Sequence, residues 1–317
     1  MQRMHRRLIS SLLAAPLVLA GSLLVGTGVA GPNSNPSLGD SVRTLRAAPS
    51  MAIEAIVAFI TTDPSSYPAV TCDGYPTYGT YSYRANGQAW LIKSYLDSTR
   101  FKGMNSELSF DGNQEFVARS DNEIVSISEA GEPSDLGMSL PNPIFALASY
   151  ARPVNDANIG SPLKLSDLKS INDGALDAST AVWVPVQVDG LSLERTVLPG
   201  DTLAGHSYAH YVYVVPGKRT EPVRVDRVIE DGTVLTRYDF TDWKTADGVP
   251  EGTPGASRFP RNVKFIQYRA GDGAMLYQAN YLVTKLKLGA PVATDELTVT
   301  VHASDHLYQA DKGEYIN

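Results

Sequence analysis

Four histidines fall into two pairs of identical spacing, His206/His210 and His302/His306. On a helix, residues four apart share a face, and two imidazoles so placed could hold one metal ion. The stretch from Tyr208 to Val215 instead alternates like a strand, where the same spacing separates two side chains by about 13 Å. The pairs are therefore read as surface or turn histidines, and no metal or other cofactor is assigned. Gly205-His206-Ser207-Tyr208-Ala209 resembles a Gly-x-Ser-x-Gly nucleophile elbow with the last glycine replaced, and Asp295 and His302 follow in the order serine, acid, histidine. An elbow needs a strand before its serine and a helix after it. Here Tyr211, Val212, Tyr213 and Val214 continue a β pattern. A serine esterase using Ser207 is kept as the enzymatic alternative. Asp239, Asp242 and Asp247 lack the Asp-x-Asp-x-Asp-Gly order of a calcium loop and read as solvated acids. Cys72, the lone cysteine, reads as a small buried hydrophobe without a role.

These residues must be positioned by a folded chain. Of 317 residues, 43% are hydrophobic and 19% charged, which is globular composition. A formal charge of −7 argues against a nucleic-acid partner, whose grip would come from Lys and Arg on phosphates. One cysteine excludes an intramolecular disulfide framework and zinc sites built on paired thiolates. At the N-terminus Arg3, Arg6 and Arg7 precede an apolar stretch, Leu8 to Val29, which ends in the small residues Gly28-Val29-Ala30. Residues 1–30 read as a secretory signal peptide. Its removal takes three arginines and no acid, leaving a formal charge near −7 − 3 = −10. No second apolar stretch of membrane-spanning length follows, so the mature chain is expected in a bacterial periplasm or beyond it, without an integral span. Residues 31–44 read as a flexible leader and 45–317 as one domain.

Within that domain the dominant signal is period-two alternation broken at tight turns. Leu45 with Met51 to Ile60 predicts a short apolar helix before Asp63-Pro64. From Tyr81 on, Asn86-Gly87, Asp111-Gly112, Asp189-Gly190, Asp231-Gly232 and Asp272-Gly273 each separate two alternating segments, the pattern of a β-hairpin. Pro141 to Tyr150 and Leu163 to Ile171 are the only other helix-capable stretches. About a dozen strands and so few helices predict an antiparallel meander, and parallel α/β architecture is disfavoured. Such a sheet must close, split into two layers, or curl around an apolar filling.

The runs Gly87-Gln-Ala-Trp90-Leu-Ile-Lys93, Glu107-Leu-Ser-Phe-Asp111-Gly112-Asn-Gln-Glu-Phe116 and Pro141-Asn-Pro-Ile-Phe145-Ala-Leu147 resemble the LolA/LolB-like outer-membrane lipoprotein carriers. Phe259 to Phe265, Asp272-Gly273 and the strands to Leu297 resemble the closing strands of the same superfamily. Where the carriers have an Arg-Pro pair after the aromatic strand, this chain has Lys93-Ser94. The resemblance implies a mainly β (α+β) fold: a single large curved antiparallel sheet, an unclosed half-barrel, with short helices covering its concave face. It also implies a cavity for acyl chains, and Trp90, Phe101, Phe110, Phe116, Ile144, Phe145 and Leu147 are its candidate lining. The expected function is non-enzymatic binding or shuttling of lipid or lipoprotein acyl chains in the cell envelope. The alternatives are the Ser207 hydrolase and an envelope scaffold that binds protein partners along a sheet edge.

Overall fold

A computed structural model describes residues 37–62, 76–96, 106–119, 123–129, 140–151, 165–177, 181–203, 206–302, 304–310 and 312–316. The predicted signal peptide, Cys72 and Phe101 lie outside these residues. Fifteen strands form one sheet. The first half is a meander of β1 (Ser50–Thr61), β2 (Thr77–Asn86), β3 (Ala89–Leu96), β4 (Ser106–Phe110), β5 (Gln114–Arg119) and β6 (Ile124–Glu129). The second runs through β7 (Val184–Val188), β8 (Leu191–Leu203), β9 (His206–Val214), β10 (Pro222–Ile229), β11 (Val234–Thr245), β12 (Arg258–Tyr268) and β13 (Met275–Leu288). β1 pairs antiparallel with β13 and joins the two halves. Two short strands, β14 (His306–Gln309) and β15 (Glu314–Ile316), extend the β6 edge, with β14 parallel to β6. The half-barrel expected from the sequence is thus the fold observed.

The turns show why the hairpins were legible. Between β7 and β8, Asp189 and Gly190 both take positive φ (52° and 79°), the requirement of a type I′ turn whose twist matches that of the strands. The stretch Met51–Ile60, expected as a helix, is the central strand β1. Met51, Ile53, Ala55, Val57 and Phe59 are all buried on one face, and the apolar residues between them follow from pairing on both sides. The leader expected over 31–44 also differs. Residues 40–47 form helix α1 (Asp40–Ala47), whose first residue, Asp40, accepts from the N–H and hydroxyl of Ser37 through its carboxylate, and whose Val42 and Leu45 enter the core.

The remaining cover lies between the two halves of the meander: a 3-10 helix (Phe145–Ala151), α2 (Leu165–Ser170) and α3 (Asp173–Asp177). Asn142 Oδ1 accepts the N–H groups of Ile144 and Phe145 and caps the 3-10 turn. Tyr150 Oη donates to the carbonyl of Leu176 in α3, and Arg46 of α1 pairs with Asp173 at 2.8 Å, so the cover is tied to itself. The same 3-10 helix packs against Tyr83 of β2 (ring centroids of Tyr83 and Phe145 4.9 Å apart) and against β8, β9 and β10. β2 and β8 are seven strand spacings apart, about 34 Å on a flat sheet. One helix of seven residues, about 14 Å long, reaches both only because the sheet curls around it.

On the outer face the chain after β13 crosses β2 and β3. A second 3-10 helix (Thr294–Leu297) places Leu297 and Val292 on Leu91. Glu107 clasps this segment by accepting from Lys93 Nζ (3.0 Å), the Thr300 N–H (2.7 Å) and the Tyr95 hydroxyl. Burial pushes the Glu107 carboxyl up, but those three donors outweigh it and hold its pKa below the ordinary value.

β2 runs against the β3 backbone at Gly79, where a Cβ would lie 1.9 Å from the carbonyl oxygen of Tyr95. Gly79→Ala is expected to cost about 2 kcal/mol or more, because backbone must move to admit it. Ile56→Ala, on the outer face and 48% exposed, is expected to cost about 1 kcal/mol or less. Chemical denaturation of the two variants checks the order.

Candidate ligand-binding site

The inner face is built by strand alternation. Cross-strand register places Ile53, Tyr83, Ile92, Leu108 and Val117 in one row, and Ala85, Trp90 and Phe110 in the next. Trp90 and Phe110 are direct partners with ring centroids 6.2 Å apart. Opposite them, the cover contributes Ile144, Phe145 and Leu147, all buried. The register sends Phe116 the other way: Phe110 pairs with Glu115, so Phe116 stands with Ser109 and Ile127 on the outer face. Of the predicted lining, Trp90, Phe110, Ile144, Phe145 and Leu147 therefore share the inner core, and Phe116 does not.

An aromatic band crosses the second half. Tyr238 lies 4.7 Å from Phe265, Phe265 5.3 Å from Tyr277, and Tyr277 5.4 Å from Phe59 (centroid distances), spanning β11 to β1. Several inner hydroxyls are sheltered from water without a hydrogen-bond partner: Tyr281 Oη, Ser94 Oγ, Ser106 Oγ and, on the cover, Ser149 Oγ. Ser94 and Ser106 are direct cross-strand partners, and Tyr81, beside Ser94, meets Tyr281 edge-on at 6.2 Å. Burial pushes the Tyr281 phenol far above its ordinary pKa, so it stays a neutral donor. Buried hydroxyls with no partner are uncommon in folded proteins, and here they gather where the sheet meets its cover.

The band ends at a polar pair. Val225 of β10 and Val212 of β9 are partners in the core, and the next pair on the same face is Arg227 and His210. His210 is 1% exposed and neither ring nitrogen has a partner. Arg227 is half-buried, and its Nε is sheltered and unpartnered. Burial, reinforced by the Arg227 charge, lowers the His210 pKa to about 3. Nothing in the residue types of a single strand marks these two, since only the register puts a His and an Arg in the row that continues Val212 and Val225.

The chemistry suggested by the other motifs is not assembled. His206 Nδ1 is 2.9 Å from Glu230 on the surface, whereas His210 is buried, so the two imidazoles of that pair have different environments. His302 and His306 flank a turn in which Asp305 accepts the His302 N–H. Ser207 is an exposed strand residue whose N–H donates to Glu230, with no helix after it. Asp295 is in the second 3-10 helix against β2 and β3, six and seven strand spacings from β9. Asp239, Asp242 and Asp247 each have a cation of their own, Arg224, Lys244 and Arg261. The outer face also carries an open groove of about 440 Å³ lined by Ile56, Tyr78, Leu282, Asn262, Asn280 and Lys264 among others. Ile56, Tyr78 and Leu282 stand in water there, and the polar residues of the lining are exposed or half-buried.

No family model matches the chain, and no curated protein does. In fold it is similar to LolA-superfamily structures. A DUF1329-family protein from Desulfovibrio piger shares 11% identity at a TM-score of 0.42, over 84% of this chain and 98% of that one. A LolA superfamily protein from Nitrosomonas europaea shares 8% at 0.40, over 83% and 98%. An outer-membrane lipoprotein-sorting protein domain from Vibrio parahaemolyticus shares 10% at 0.40, over 82% and 95%. Among the described residues no helix is long and apolar enough to cross a membrane.

His210 gives the site a pH signature. The folded ring resists protonation down to about pH 3, while the unfolded ring takes a proton near its ordinary 6.5. The unfolded chain therefore binds more protons across that window, and stability falls as pH drops below 6.5, by about 1.4 kcal/mol per unit from this group. His210→Leu is expected to flatten that part of the slope in urea denaturation between pH 7 and 5.

Proposed function

We propose that the protein binds the acyl part of a lipid or lipidated protein in the cell envelope, without performing chemistry on it. The binding place is the seam between the inner face of the sheet and its helical cover. The observation that carries the reading is the cover itself. Among the described residues its four helices are eight, seven, six and five residues long, laid on a continuous aromatic and aliphatic face. Helices that short have almost no stability of their own and are held by the surface they bury. An acyl chain offers the sheet the same kind of surface, so the cover can shift on the inner face at small net cost.

Trp90, Phe110, Ile144, Phe145 and Leu147 are proposed as walls at the β3–β4 side of the seam, and the Tyr238–Phe59 band as walls at the other. The partnerless hydroxyls of Ser94, Ser106 and Ser149 support the reading, because an amphiphile's ester or amide groups could satisfy them. Export by residues 1–30 would bring the chain to the compartment where such lipids are handled, and its net charge makes a direct electrostatic grip on anionic membrane unfavourable. The Ser207 hydrolase is not proposed, since Ser207 lies on β9 while Asp295 sits in the 3-10 helix against β2 and β3, six and seven strand spacings away.

Native mass spectrometry of the mature protein as purified tests the reading. A species heavier by one acyl lipid, returned to the bare mass by organic extraction, is the expected result. A bare mass throughout, with no lipid in the extract and no uptake of added long-chain amphiphile, overturns it.

A further inference from the structure

Among the described residues, the inner face carries one cation that its surroundings do not explain. Arg224 pairs with Asp239 at 2.7 Å, Arg237 with Asp226 at 2.8 Å, Arg261 with Asp247 at 2.8 Å and Arg258 with Glu221 at 2.5 Å. Arg224 and Arg237 point outward from β10 and β11. Arg227, one residue from Asp226 but on the opposite face, has no carboxylate among the described residues and makes no hydrogen bond there. The groups around it are His210, its direct partner across β9, with Tyr208 and Tyr238. A guanidinium turned toward an apolar interior without an anion is costly, because its hydration is lost and nothing replaces it. The adjoining imidazole is 1% exposed, with both nitrogens unpartnered. Together they offer donors and no acceptor of full charge.

We infer that Arg227 and His210 form a headgroup site for a carboxylate or phosphate at one end of the acyl seam, so that the ligand is an anionic amphiphile. The inference rests on the acyl-binding reading above and narrows the class of ligand. Arg227 supplies two or more N–H donors in a planar fork, the geometry that suits both anions. The neutral ring of His210 donates one N–H more. Tyr238, the β11 partner of Val225 and diagonal to Arg227, opens the aromatic band, which runs across β12 and β13 to Phe59. From β10 to β1 is four strand spacings, about 19 Å, room for an extended long-chain tail. An acidic head on Arg227 would thus leave the tail under the cover, lying across the strands.

The experiment measures binding of hexadecanoate, hexadecyl phosphate and hexadecanol by wild type, Arg227→Met and Arg227→Lys, using the full mature chain. Wild type is expected to bind at least one of the two anions about tenfold or more tightly than the alcohol, as a charge-assisted hydrogen-bond pair implies. The tighter anion identifies a carboxylate or a phosphate as the head. Arg227→Met is expected to lose that preference, keep the affinity for hexadecanol, and melt no lower than wild type, since it removes an uncompensated charge. Arg227→Lys keeps a cation and should retain part of the preference, which preserves the test if the methionine variant is unstable. Equal affinity of wild type for all three probes, or a preference that survives in Arg227→Met, overturns the headgroup site and leaves the acyl reading standing. No binding of any probe by wild type overturns both.

Discussion

The structure depends on the need to bury one apolar face of one very wide sheet. Antiparallel strands tolerate water on one side, and this chain uses that freedom on the outer face, where Glu, Arg, Asp and Lys form cross-strand pairs. The inner face of β1 to β4 and β9 to β13 has no second sheet to meet. It curls instead, and four short helices fill the hollow. Because β1 pairs with both β2 and β13, the two meanders share one core, and the 3-10 helix bearing Phe145 touches strands from each half. The cover holds the curl, and the curl holds the cover.

That mutual dependence gives the charge distribution its meaning. Among the described residues, two buried carboxylates on the outer face are both met: Asp226, 3% exposed, has the fork of Arg237, and Glu107 has three donors. Asp247 fastens Arg261 and the N–H of Leu286, closing the loop that follows β11 over the β13 end. Inside, the hydroxyls of Tyr281, Ser94 and Ser106 and the Arg227–His210 pair lack such partners. The contrast is spatial, not chemical, for the same residue types occur on both sides. The acyl-binding proposal assigns these bare inner groups to a bound amphiphile.

Much of the fold was legible because its decisive signals are local. Asp-Gly and Asn-Gly turns fix hairpins within a few residues, and alternation does the rest. β1 hides its alternation because its outer face is apolar too, at Ala52, Ile56, Ala58 and Ile60, and Met-Ala-Ile-Glu-Ala-Ile-Val-Ala-Phe-Ile then looks like a buried helix. α1 was missed because its core contribution is only Val42 and Leu45 within a polar octet. The site was less legible still. Trp90 and Phe110 could be named from their neighbours, but the placing of Phe116 depends on a one-residue choice at the Gly112 turn, which flips every side chain after it. Arg227 and His210 are invisible in one dimension, since their shared face follows from the register of β9 on β10.

The central claim, that an acyl chain enters between the sheet and its cover, can be tested at Trp90, which is 3% exposed on the inner face. In a Trp183→Phe, Trp243→Phe background, Trp90 is the single tryptophan, and a hexadecanoate brominated along its chain quenches an indole only at contact range. The account predicts saturable quenching, competed away by unbrominated hexadecanoate, of Trp90 or of a Tyr277→Trp indole set in the aromatic band of a Trp90→Phe, Trp183→Phe, Trp243→Phe chain. Binding of the brominated chain with the emission of both indoles unchanged, whichever position carries the bromine, would contradict it.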